Sequence, residues 1–437
     1  MNTNAAIAFT RFGLGRRRDE PVPADPRAWL LAQLNGPDTA PTYGLMSGSD
    51  SLLLLDAFAH RDKTPGVDPR TTPQFQALEA HDKIEREAFI AQALTTPAGF
   101  RERLVWFWFN HFTVTTRTRP AASCLGAYIR EAIRANVTGK FSDMVLAVMR
   151  HPAMLAYLDQ HASVGPNSVV GLRGHRGLNE NLARECLELH TVTQAAGYTQ
   201  DDVTNFAKVL TGWNWDIHLS PPGFRFEDNT HEPGEQTVLG RDWPDGEQGG
   251  IMLLEFLANH PCTQRHIAEK LVRHFVADDP PPQDVAYIEA VLRNNNGDLH
   301  QASAALVELP AAWAPLTKLR TPQEYVIAVM RAVGAHPQAE PQLFNTFRNL
   351  GQPLFAAPFP IGWPDRAADW ANPEAILQRV DFAYQFAARI NDQEPVEVAE
   401  ATLGPLLTDD TGQAIRHAGS RREALTLLLA SPEFQRR

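Results

Sequence analysis

The sequence is short of most features that announce a familiar chemistry. Its 437 residues include three cysteines, Cys124, Cys186 and Cys262. They lie far apart and form no CxxC pair, which excludes a zinc ribbon or a thioredoxin-like redox motif and leaves them as buried small hydrophobes. Basic charge is in deficit: 40 lysines and arginines face 51 acidic side chains, a formal net charge of −11. That balance argues against nucleic acid as a partner, since a basic patch supplies most of such affinity. No run of 18 or more apolar residues occurs, so no membrane-spanning helix is expected. The N-terminal stretch MNTNAAIAFTRFGLGRRRDE does not have the order of a signal peptide, because the arginine run follows the short apolar segment, and the cytoplasm is the expected compartment. Neither RFGLG nor GLRGHRG has the pattern or the strand–helix setting of a phosphate-binding glycine loop, and no G-x-S-x-G elbow is present.

What is present is helical periodicity. The 33 prolines cluster in DEPVPADP, DDPPPQD and GQPLFAAPFPIGWPD, and such clusters punctuate helices. Between them the apolar residues recur at helical spacing, with no convincing strand alternation and no internal repeat. Residues 103–113 place Leu104, Phe107, Trp108 and His111 on one arc. In 141–151 Ser142 is the expected N-cap, and the helix stops before Pro152. In GYTQDDVTNFAKVLTGW Thr199 and Asp202 form a capping box, Val203, Phe206, Ala207 and Leu210 form the buried face, and Gly212 ends the helix. PCTQRHIAEKLVRHFV repeats the pattern with Ile267, Leu271, Val272 and Phe275, and the last third reads as further helices. Segment 214–250 is rich in Gly, Pro, Asp and Asn and is expected to be a long functional loop. The fold expected is all-α, a large multi-helix protein with long irregular loops and two closely packed helical subdomains. Residues 1–95, 96–300 and 301–437 are its N-terminal, central and C-terminal helical regions in one continuous unit.

The stretch NENLARECLELH carries the densest chemistry. On a 100° wheel Asn181, Arg184, Glu185 and Glu188 form a polar stripe, and His190 falls with Leu182, Cys186, Leu187 and Leu189 as a hydrogen-bonded core histidine. The stripe has two readings. It is the solvated face of an amphipathic helix, with Arg184 screening Glu188, or it faces a cleft where Glu185 and Glu188 hold a divalent ion or act as acid and base. His231, on the turn THEPGE, is either an exposed loop residue or a ligand or base. His111 is either a core histidine or the polar floor of an apolar pocket. Phe355, Phe359 and Trp363 form a rigid aromatic lip or a packed interdomain loop.

Taken together, NENLARECLELHT and GYTQDDVTNFAKVLTGW, with RFGLG, WFWFNHF, HPAMLAYLD, SVGPNS, HEPGEQTVLG and GQPLFAAPFPIGWPD, resemble a bacterial family catalogued as domain of unknown function eighteen hundred. The resemblance spans nearly the whole chain. It implies an all-helical fold, no activity that can be carried over, and frequent export beside a second, sulfatase-like exported family, so a protein encoded nearby is a candidate partner. The family's recurring polar positions that match are His111, Asn181, Arg184, Glu185, Glu188, His190 and His231.

The expectation is therefore an enzyme acting on a small-molecule or polymer substrate. Glu185, Glu188, His231 and His111 would ligate a divalent metal, Arg184 would orient an anionic group, and 214–250 would form a roof. Metal-assisted hydrolysis is the favoured reaction. A non-catalytic helical scaffold is the alternative, and a haem or redox protein with His111 or His190 as axial ligand is a further one.

Overall fold

The computed structural model describes residues 1–40, 44–61, 66–174, 177–335, 342–390 and 392–437. The chain is all-α, with two short antiparallel hairpins as its strands among the described residues. Apart from Trp213, both hairpins fall in segment 214–250, expected to be a long functional loop: Trp213–Asp216 pairs with Gly223–Phe226, and Gln236–Val238 with Arg241–Trp243. Strands of three or four residues are too short for a period-2 pattern to show against helical periodicity, and this is why the sequence hides them.

The helices form where the pattern places them. Thr199 and Asp202 make the reciprocal capping box at the start of Gln200–Val209. The aromatic helix Gly99–His111 buries Leu104, Phe107, Trp108 and His111. Helix Phe141–Arg150 departs from expectation at its start, because Ser142 does not cap it and no side chain does. The backbone supplies the partner instead: Phe141 N–H donates to the Gly297 carbonyl at 2.9 Å, and Lys140 bridges Asp298. A free N–H of a first turn needs one acceptor, whatever its origin.

Two apolar cores result. The larger gathers Phe12, Phe100, Trp108, Phe141, Leu182, Phe206, Ile267, Phe275 and Leu306. The smaller gathers Leu14, Ile90, Tyr325, Val329, Phe347, Phe386, Leu428 and Phe434. Phe89 and Leu354 pack against both. The seam between them is ionic. Helix Pro322–Ala332 is buried on every side, and its Glu324 faces the larger core, accepting from Arg103 Nη2 at 2.6 Å and forming an ion pair with the Arg437 guanidinium, whose Nε lies 2.8 Å away. The same carboxylate accepts from the Thr321 N–H at 2.9 Å, closing that helix's own capping box. Arg437 continues to Asp365 at 2.6 Å, and Asp365 to His274 Nδ1 at 3.1 Å. Burial opposes ionisation of Glu324, yet Arg103 and Arg437 outweigh it and hold the carboxyl down at about 2.

Removing one member of a buried pair leaves an uncompensated charge. Arg103→Leu is therefore expected to lose about 3–5 kcal/mol of unfolding free energy, read from the denaturant midpoint at an unchanged slope. A loss below about 1 kcal/mol, the range of exposed pairs, would show that the seam does not hold the cores together.

Candidate functional site

A cavity of about 530 Å³ lies along this seam. One wall is apolar: Phe89, Trp106, Phe109, Leu354, Phe355 and Trp363. The other is polar: His111, His266, Lys270, Arg273, His274 and Asp365. An apolar cleft with a few converging polar groups is the usual build of a small-molecule site.

Four of the six polar residues, His266, Lys270, Arg273 and His274, come from helix Pro261–Phe275. His260 caps it by accepting the Cys262 N–H, and Ile267, Leu271, Val272 and Phe275 turn into the larger core. His266, Lys270 and His274 recur every four residues, so they share a face, and that face lines the cavity. Lys270 is half-buried. Its Nζ donates to His111 Nδ1 at 2.9 Å, while His111 Nε2–H donates to the His190 carbonyl at 3.1 Å. These two bonds fix His111 as a neutral imidazole with its proton on Nε2. Burial, with Lys270 next, pushes the His111 pKa far down. Burial also pulls the Lys270 ammonium down to about 8, Asp365 opposing and Arg273 adding to the shift. His266 donates Nε2–H to the Leu189 carbonyl at 3.1 Å, and burial brings it to about 4.

The aromatic lip of the sequence analysis forms the mouth. Phe355 is buried against Phe89 and Phe109, at 5.1 and 5.6 Å between centroids. Phe359 and Ile361 stand in solvent, 66% and 57% exposed. Asn110 clasps the lip, its side chain donating to the Trp363 carbonyl at 2.9 Å and accepting from the Trp363 N–H at 2.8 Å. Gly362 makes the clasp possible. Its φ is +83°, and a Cβ there would stand 2.3 Å from the Asn110 carbonyl oxygen.

The stripe sits differently from the expected site. Leu182, Cys186, Leu187 and His190 are buried and Glu188 is exposed, as the wheel predicts. The helix, however, is regular only over Asn181–Glu185 and passes into a π-helical turn, Cys186–His190, a feature frequent at functional sites. Glu188 and Leu189 thereby reach the cavity edge. Burial, and then the neighbouring Glu188 charge, raise the Glu185 carboxyl. Arg184 does not screen Glu188: it pairs with Glu180 at 2.7 Å and with Gln200 at 3.0 Å, and so is committed to a surface network. His190 is fully buried, but neither ring nitrogen has a hydrogen-bond partner among the described residues. It is a core histidine without the expected bond.

The metal set Glu185, Glu188, His231 and His111 is not assembled. Among the described residues no three His, Cys, Asp or Glu converge to hold an ion. His231 is built into its own turn, with Nδ1–H donating to the Thr211 carbonyl at 2.7 Å and Nε2 accepting the Gly246 N–H at 3.0 Å. His111 has both nitrogens engaged. Nor does 214–250 roof the cavity, since no residue of that segment lines it. Its Glu232 ties the loop to Asn167 instead, at 2.6 and 2.8 Å. The Cys124 and Cys186 thiols are buried and pushed up to about 12 by burial, as expected of inert hydrophobes.

Lys270, Asp365, His274 and Arg273 were not singled out from sequence. The four-residue spacing of His266, Lys270 and His274 was the available signal, masked because charged residues on an amphipathic helix ordinarily face water.

The family model described as "Protein of unknown function (DUF1800)" matches residues 7–436. The chain belongs to the DUF1800 family. That confirms the resemblance drawn from the sequence blocks. Comparison of this DUF1800 chain with curated proteins and with solved structures finds no match. No helix among the described residues is long and apolar enough to cross a membrane.

The buried imidazoles set the acid response. His190 and His266 are lowered by burial to about 3 and about 4, from an ordinary value of 6.5. The unfolded chain therefore binds protons first, so stability is full above pH 6.5 and falls as pH drops towards 4. Glu324 adds its loss only below about pH 4.5, as pH falls towards its folded value of about 2. Unfolding measured against pH is expected to show both windows, with the His266→Asn protein flatter in the upper one. A flat profile from pH 7 to 4.5 would contradict the buried-neutral assignment.

Proposed function

We propose that this DUF1800 chain is an enzyme that takes a small, mostly apolar substrate into the cavity between its two cores and acts on it through Lys270. The supporting observation is a single contact. The cavity-lining amine has one hydrogen-bond partner among the described residues, the neutral His111 imidazole, and no carboxylate within ion-pair distance. A lysine kept for structure is paired with an anion, as Lys318 is with Asp278. An unpaired amine on the wall of an apolar cleft, able to exchange a proton near neutrality, is instead suited to acid–base or nucleophilic work.

Arg273 and Arg366 line the same cavity and give an anionic end of the substrate somewhere to sit. Metal-assisted hydrolysis at Glu185, Glu188 and His231 has weaker support, because those side chains have separate surroundings. A pure scaffold leaves the desolvated cationic wall without a purpose.

The test uses an apolar anionic probe, anilinonaphthalene sulfonate. One saturable site is expected, with fluorescence enhancement lost in Leu354→Trp, which fills the cavity, and affinity weakened roughly tenfold in Lys270→Met, the scale of one lost charge-assisted bond. Both variants should retain the far-UV dichroism of the parent. Absence of saturable binding, or binding indifferent to both substitutions, would refute the reading.

A further inference from the structure

We propose that Lys270 is a nucleophile for carbonyl compounds, and that the substrate class of the cavity is an apolar aldehyde or ketone held as an imine on its Nζ. This rests on the reading of the cavity as the reaction centre and names the chemistry done there.

The geometry prepares the amine for attack. His111 cannot rotate to offer its other nitrogen, because Nε2–H is held by the His190 carbonyl at 3.1 Å. It can only accept an N–H from Lys270 through Nδ1, at 2.9 Å. An amine that donates one N–H backwards keeps its lone pair for the side facing the cavity. Burial favours that free form, with Asp365 opposing it and Arg273 adding to it. Among the described residues no anion lies within ion-pair distance of Nζ, Arg273 lies one turn away, and burial outweighs Asp365 to keep the ammonium near 8. Desolvation beside a second cation is a recognised way to activate a lysine. The opposite wall, Phe89, Trp106 and Phe109, excludes water and suits an apolar body carrying one polar atom.

The step is balanced without a further reagent. The Nζ lone pair forms a bond to the carbonyl carbon while the C=O π bond opens and its oxygen takes a proton. The carbinolamine then loses that oxygen as water, leaving the protonated imine. The overall change is amine plus carbonyl plus one proton giving iminium plus water, with no oxidation or reduction. The iminium withdraws electrons from the adjacent carbon, so loss of a proton or cleavage of a bond there follows naturally.

The chain has six lysines, which makes site assignment direct. The full-length protein is incubated at pH 7.5 with 4-phenyl-2-butanone and cyanoborohydride, and the adducts are mapped by peptide mass spectrometry. The expected result is one reduced adduct at Lys270, roughly tenfold or more above every other lysine, because its amine opens into the apolar cavity that gathers the ketone. Lys270→Met should abolish it, and His111→Leu should diminish it. The same ketone is tested for displacement of anilinonaphthalene sulfonate. Displacement without an adduct at Lys270 overturns the imine and leaves the cavity reading standing. Neither displacement nor adduct overturns both. Labelling spread evenly over the lysines overturns the imine.

Discussion

The carboxylate of Glu324 is the knot of this molecule. It accepts from Arg103 of the aromatic helix and from the backbone of its own helix, and it is ion-paired with Arg437 at the far end of the chain. A buried anion with a hydrogen bond on each oxygen and two guanidinium charges beside it is compensated, which is the condition under which an interior charge can persist. From it the chain of contacts runs through Arg437 and Asp365 to His274. His274 stands one helical turn beyond Lys270. The interaction that joins the two cores is thus continuous with the wall of the cavity, and the position of Lys270 is set by the same seam that holds the fold together.

An ionic seam has a consequence that an apolar one would lack. Two greasy faces close until they exclude all space. Charged groups need particular partners at particular distances, and the geometry that satisfies them leaves room elsewhere. The cavity is that room. Its apolar wall includes Phe89, which is shared between both cores, and its polar wall runs from the seam's own His274 and Asp365 to Lys270, which the seam leaves without an anion. Site and interface are two results of one packing problem.

Much of the architecture was legible in the sequence because helices announce themselves locally. Thr199 with Asp202, Pro261 with the Ile267–Phe275 spacing, and His190 among leucines all follow from neighbours within a turn or two. The hairpins of 213–243 were not legible, for three or four residues carry too little periodicity. The site was half legible. His111 and Glu188 were read as candidates and do border the cavity. His231 and Arg184 were candidates whose hydrogen bonds lie in their own local networks. What sequence withheld was pairing across distance. Lys270 meets His111 over 159 positions and Arg437 meets Asp365 over 72, and no local pattern encodes such meetings.

The clasp between Asn110 and Trp363 joins two parts of the site that otherwise have no reason to move together. Asn110 precedes His111 in the chain, and Gly362 rests against both Asn110 and Thr113. Any guest that pries the lip outward pulls on the residue next to the imidazole that steadies the amine. Admission at the doorway and readiness at the far wall therefore share one lever, and a lip that had not yet resettled would leave the amine imperfectly aimed.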